Sequence, residues 1–379
     1  MARPLWLALP VVLLAAVVAF LLFGRPLADL AGSAPPVEEL AVETVRLEPG
    51  VIALTVRGDG SGPITIAQVQ ADGAYRDFAA APSPVVGRLG SARIAVPYPW
   101  VAGEAHHVVL VTSTGATFDH TIDVAVEPPA WRAALGELLL VGLLLGIVPV
   151  AIGLLAYPAI RQLGSTGMTF ILALTIGLLL FLLVDTLGEG LEKGAEALDR
   201  LRGTTVVFVA MALTTLGLLS LGRHGGKAPE GLRLAFFIAL GIGIHNLGEG
   251  LAVGAALATG AAALATFLVV GFVIHNVTEG VGIAAPLVPG ERPPVVAFAG
   301  LAALAGLPAI AGVLIGTQAV NPYWTAVCFG VGAGAILQVV IEVASLLMRR
   351  DGSGALARPS GAGGIVAGLA VMYATALLV

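Results

Sequence analysis

One cysteine in 379 residues and a charged fraction of only 11% mark what this sequence lacks. With Cys328 alone, the chain can form no intramolecular disulfide, no zinc-finger ligand spacing and no thiolate cluster for a soft metal. Charge is scarce in both signs, 19 Lys and Arg against 24 Asp and Glu, for a formal net charge of -5 at pH 7. The basic residues are scattered between apolar segments, which argues against an electrostatic surface for nucleic acid. What the chain has instead is apolar surface: 58% of residues are hydrophobic and the mean hydropathy is +0.97. A water-soluble domain does not tolerate such a composition, so the expected partners are membrane lipid and something small.

Residues 5–23, LWLALPVVLLAAVVAFLLF, form an apolar run between Arg3 and Arg25. It is longer than the roughly 7 to 15 residues of a signal-peptide core, which favours a retained anchor helix. The small-residue stretch AGSA at 31–34 keeps a cleaved signal open. From about 37 to 128 the texture changes to short alternating segments, VIALTVRG, ITIAQVQADG, ARIAVPY and HHVVLVTS among them, broken by Gly, Pro and Asp. Period-two patterning with frequent turns predicts a small immunoglobulin-like β sandwich, closed by Pro128 and Pro129. The expected domains are 1–26 (anchor or signal), 27–130 (β sandwich) and 131–379 (helical).

Eight apolar stretches follow Trp131, at about 134–157, 168–188, 204–222, 232–258, 262–288, 295–317, 322–348 and 361–379. Each is long enough to cross a bilayer of roughly 30 Å as a helix. With the β domain outside, the inner loops hold eight basic residues (Arg161, Arg223, Lys227, Arg233, Arg292, Arg349, Arg350, Arg358) and the outer loops three (Lys193, Arg200, Arg202). That bias predicts a multi-pass plasma-membrane protein with its β domain extracytoplasmic, its C-terminus outside and its N-terminus inside if the anchor is retained.

Within the fourth stretch HNLGEG occupies 245–250, and within the fifth HNVTEG occupies 275–280. On a helix His245 stacks over Glu249 and His275 over Glu279, with Asn246 and Asn276 about 100° round from their neighbours and able to add a carbonyl oxygen. The short connection ATGAAA makes the two helices antiparallel, so the motifs can meet near mid-membrane. Two imidazoles and two carboxylates suit a divalent first-row ion such as zinc, manganese, iron or cobalt. A central membrane carboxylate costs roughly 2.5 to 3.5 kcal/mol, so Glu249 and Glu279 together cost about 5 to 7 unless a cation or partner offsets them. The alternative is a polar helix pair held by His–Glu hydrogen bonds.

These residues resemble the ZIP family of divalent metal transporters, whose eight helices carry HNxPEG-like motifs on the fourth and fifth. The resemblance covers roughly 132–379. It implies that His245, Asn246, Glu249, His275, Asn276 and Glu279 are metal ligands, that Asp185 and Glu189 of LLVDTLGEG line the outer entrance, and that Glu342 of GAILQVVIEV lies near the inner exit. It implies uptake of zinc first, or of manganese, iron, cobalt or cadmium, as cargo rather than cofactor. This sequence departs from the pattern where Gly248 and Thr278 replace the motif proline, where Ala309 stands in AGLPAIAG at the place of an acid, and where His224 is alone in GRHGGKAPEG. The second departure points to a one-metal form of the site, and the third argues against metal sensing by that loop.

Asp185, Glu189, Glu192 and Glu196 share a helical face and either focus cations or form a solvated helix end. A hairpin turning at Thr114 and Gly115 puts His107 and His120 diagonally on one strand face, about 7 to 8 Å apart. Gln338 and Glu342 stack at i and i+4, where interhelical hydrogen bonding competes with a pathway role. No enzymatic activity is expected. The rival readings are a metal-dependent intramembrane hydrolase, disfavoured because HNxxEG has no glutamate beside the histidine, and an anchored receptor whose β sandwich does the work. The β domain's partner stays open, as does a homodimer.

Overall fold

The computed structural model describes residues 12–17, 19–20, 37–122, 124–126, 134–197, 201–224, 226, 228–258, 262–318 and 321–377. Residues 12–17 and 19–20 are helical, within the expected anchor; the processing site at 31–34 and the Pro128–Pro129 boundary lie outside the described residues.

Residues 37–126 build two antiparallel sheets. The first runs β1 (Leu40–Glu48), β2 (Val51–Gly58), β7 (Ser91–Pro97), β5 (Ala79–Ala81). The second runs β4 (Ala74–Arg76), β3 (Ile64–Ala71), β8 (His106–Thr112), β9 (Thr117–Ile122), with β6 (Val85–Val86) also pairing β3. This is the immunoglobulin-like order, strands one, two, five and four of the fold facing a sheet built on three and six. Alternation buries Ile52, Leu54 and Val56 of β2 against Ile66, Val108 and Leu110 of the facing sheet. In β3 both Ile66 and Val69 point inward, at odd spacing, because a bulge between Ile66 and Gln68 shifts the phase.

The expected histidine pair does not form. His107 faces Thr121 and His120 faces Val108, so the two imidazoles lie on opposite faces of the sheet. The reason is the turn. Gly115 adopts φ +91 and its N–H bonds Thr112 O, making a three-residue loop where two residues were expected. One extra residue flips every side chain of the returning strand.

Among the described residues, eight helices long and apolar enough to cross a membrane follow: α1 (Leu135–Ile160), α2 (Ser165–Glu196), α3 (Gly203–Gly222), α4 (Gly231–Ala258), α5 (Ala262–Ala284), α6 (Val295–Gly316), α7 (Pro322–Asp351) and α8 (Pro359–Ala376). We term the end at which α1 begins outer, following the loop charges. α1 is broken at Gly146, where ψ is -74 and φ -101, and again after Leu154. Pro149 supplies no N–H to the Leu145 carbonyl, which leaves that carbonyl available to another donor.

The bundle is internally paired: α1 packs along α5 as α6 packs along α4, while α2 contacts α7 and α8, and α3 contacts α7. Corresponding Pro-x-x-x-Gly segments make the close contacts, Pro149 to Gly153 on α1 and Pro308 to Gly312 on α6. A side chain at Gly153 would overlap Val277 O, and one at Gly312 would overlap Leu247 O, the same motif position in each case. The motif glycines Gly280 and Gly250 answer them, and the four bare Cα positions let the backbones touch. This clamp fixes α4 and α5 and so sets the height of both HN motifs.

Candidate metal centre

The fourth and fifth helices bring both motifs into one buried cluster. His245, Asn246, Glu249, His275, Asn276 and Glu279 are all at most 5% exposed. Glu249 is the hub: its Oε1 meets His245 Nε2 at 3.1 Å and also His275 Nε2, and its Oε2 accepts from Asn276 Nδ2 at 3.1 Å. Nitrogens of both imidazoles and a Glu249 oxygen lie within 4.8 Å of one another, a group that could hold a metal ion. A zinc with bonds of about 2.0 to 2.1 Å asks for donors roughly 3.3 Å apart, close to the spacing seen at His245.

The asparagines are held from outside the motif helices. Asn276 Nδ2 donates to Leu145 O at 3.0 Å, the carbonyl that Pro149 leaves open, and Asn246 Nδ2 donates to Ala305 O on α6 at 3.0 Å. With both amide nitrogens so engaged, Oδ1 of Asn246 and of Asn276 is buried without a donor, as are both oxygens of Glu279. Four buried acceptors without a hydrogen-bond partner among the described residues, beside two imidazoles, could be satisfied by a cation. The Asn246 amide and the Glu249 carboxylate are polar neighbours of Glu279.

Where the motif lacks proline, Thr278 Oγ1 donates back to His275 O at 2.6 Å, the local bond available to a helical threonine, and Gly248 leaves room for the Phe329 ring of α7. Ala309 brings no carboxylate; it is fully buried at the break in α1, near Gly146. Thr186 of α2, not singled out in the sequence, stands 3.4 Å from His245 Nδ1. It lies one residue from Asp185, and helical spacing alone would have placed it on the neighbouring face.

Toward the outer end, a cavity of about 180 Å³ between α2, α5 and α8 is lined by Asp185, Glu189, Phe272, His275, Met372 and Thr375. Both expected entrance acids therefore share a cavity with a central imidazole. Glu196 instead pairs with Lys193 at 2.7 Å, the solvated alternative, and Glu192 is exposed. Toward the inner end, Gln338 and Glu342 of α7 are fully buried. Gln338 makes no hydrogen bond among the described residues, while Glu342 makes an interhelical one, accepting from Arg223 Nε at 3.0 Å.

The β domain holds a second acid–histidine group. Asp72, in the turn after β3, accepts from His107 N at 2.8 Å and Tyr98 Oη at 2.5 Å and meets His106 Nδ1 at 2.7 Å. His106 Nε2 accepts from Val101 N at 3.1 Å, so its proton resides on Nδ1. Burial pushes the Asp72 carboxyl up, but the His107 N–H, the Tyr98 hydroxyl and His106 outweigh it and hold the group at about 2. The same bond to Asp72 pushes the Tyr98 hydroxyl above its ordinary value.

No protein-family model matches this chain, and no curated protein matches it. What is established is a helical protein with eight membrane-length spans, an N-terminal two-sheet β domain and a buried His–Glu–His group able to hold a metal.

Proposed function

We propose that this chain carries divalent first-row metal ions across a membrane, zinc foremost, as a ZIP-like transporter working inward by alternating access. The observation that carries the reading is the unfinished coordination at the centre: His245, His275 and Glu249 gathered from two antiparallel helices, with the acceptors of Glu279, Asn246 and Asn276 unsatisfied around them. An ion is drawn into the outer cavity by Asp185 and Glu189 and passes to His275, which lines the same cavity. There the imidazoles and Glu249 replace its water, and Glu279 with the asparagine carbonyls offers further oxygens. The outer cavity and the buried inner residues fit an outward-facing arrangement, and rearrangement of the bundle then opens the α4–α7 side for release. The paired α1–α5 and α6–α4 contacts fit such a movement, because each motif helix has its own supporting partner.

Purified protein in proteoliposomes, loaded against a panel of zinc, manganese, iron, cobalt and cadmium and read by elemental mass spectrometry, tests this. Wild type accumulates at least zinc above empty vesicles, and Glu249→Ala with Glu279→Ala does not. Uptake unchanged by the double substitution rejects the proposal.

A further inference from the structure

The face of α7 that descends from the centre carries two buried polar side chains, Gln338 and Glu342. It starts at Gly332, where a Cβ would lie 3.5 Å from His245 Cα, passes Ala335 and Gln338 opposite Gly241 of α4, and ends at Glu342. Ten residues of helix separate Gly332 from Glu342, roughly 15 Å, about half the thickness of the hydrocarbon layer. Glu342 therefore lies at its inner boundary, yet the residue is fully buried. Among the described residues its charged partner is Arg223, at the C-terminal end of α3, whose side chain is 41% exposed. Only Oε1 of Glu342 is engaged; Oε2 and both polar atoms of Gln338 are buried without partners. A carboxylate is thus neutralised from the water side while its other oxygen, and the amide one turn above it, are buried without hydrogen-bond partners among the described residues.

We propose that the Arg223–Glu342 ion pair is the inner gate: the guanidinium is a tethered cation standing where the transported ion must leave, and it closes the path until that ion takes over Glu342. The inference rests on the transport reading for its purpose, but the closure itself is tested without any flux. Arginine suits the task because it stays charged and reaches from the interface along its aliphatic stem. A divalent ion released from the histidines next meets Gln338 Oε1 and Glu342 Oε2, and its charge displaces the single charge of Arg223 from the same carboxylate. Arg223 acts here as a positioning residue for Glu342, not as a ligand.

The test uses the full chain with Cys328→Ser and Gln338→Cys in inverted membrane vesicles, where a membrane-impermeant maleimide reaches only the inner face. Labelling at position 338 is slow with Arg223 present. Arg223→Met accelerates it about ten-fold, as expected when the open-to-closed ratio rises by one order of magnitude. Glu342→Gln, which keeps the side-chain volume, acts in the same direction. Exchange of the pair, Arg223→Glu with Glu342→Arg, returns labelling to the slow rate. If Arg223→Met and Glu342→Gln label no faster than the parent, or the exchanged pair labels as fast as Arg223→Met, the ion pair is not a gate. Either result stands whether or not the protein moves metal.

Discussion

Asp72 in the β domain and Glu249 in the helical bundle each gather imidazole and other donors, but the two clusters differ in what remains unsatisfied. Around Asp72 both carboxylate oxygens and both nitrogens of His106 have partners. Around Glu249 the hub itself is bonded, while four buried oxygens of Glu279, Asn246 and Asn276 have no hydrogen-bond partner among the described residues. Burial of an acceptor without a donor costs about 1 to 3 kcal/mol, so such a group persists where something else repays it. A closed acid–histidine group fixes a turn; an open one could hold an ion.

The sharpest way to break that contrast is to neutralise the hub. Glu249→Gln should weaken zinc binding by about 100-fold or more in equilibrium titration, since even supporting residues of a metal site cost 10- to 100-fold. Glu279→Gln should weaken binding less, by about ten-fold, and raise the stability of metal-free protein by about 1 kcal/mol, because it gives a donor to a group that has none. Denaturation of the two variants without metal must therefore move in opposite directions. At the closed cluster, Asp72→Asn should cost about 1 to 2 kcal/mol, read as faster hydrogen exchange over residues 106–122, with zinc affinity unchanged.

The pH dependence of that cluster follows the same logic. Because Asp72 is held at about 2 in the folded domain against roughly 3.9 unfolded, its contribution is complete above pH about 4 and is lost as pH falls toward 2. Asp72→Asn should flatten the acid limb of the domain's unfolding curve. The smallest effect expected is at His107→Ala with His120→Ala: residues on opposite sheet faces cannot share an ion, so zinc stoichiometry should not change.

The bundle was legible from run length, and the motif pair from i, i+4 spacing and a short connection, since both are local properties of a helix. The two-sheet β domain likewise followed from alternation and frequent turns. What escaped was decided by single residues acting over long separations. Gly115 lengthened one turn and reversed the face of His120; Pro149 freed the Leu145 carbonyl that positions Asn276, 131 residues away. Arg223 and Glu342, 119 residues apart, meet only when α3 and α7 pack. The inequality between Glu249 and Glu279 was also hidden, because two matched motifs in one dimension give no sign of which carboxylate the imidazoles will share.

The most direct measurement is zinc K-edge X-ray absorption on the purified protein loaded with one equivalent of zinc. The account predicts two imidazole nitrogens at about 2.0 to 2.1 Å with oxygen completing the shell, falling to one imidazole in either His245→Ala or His275→Ala. An oxygen-only shell, or one that neither substitution alters, would contradict it.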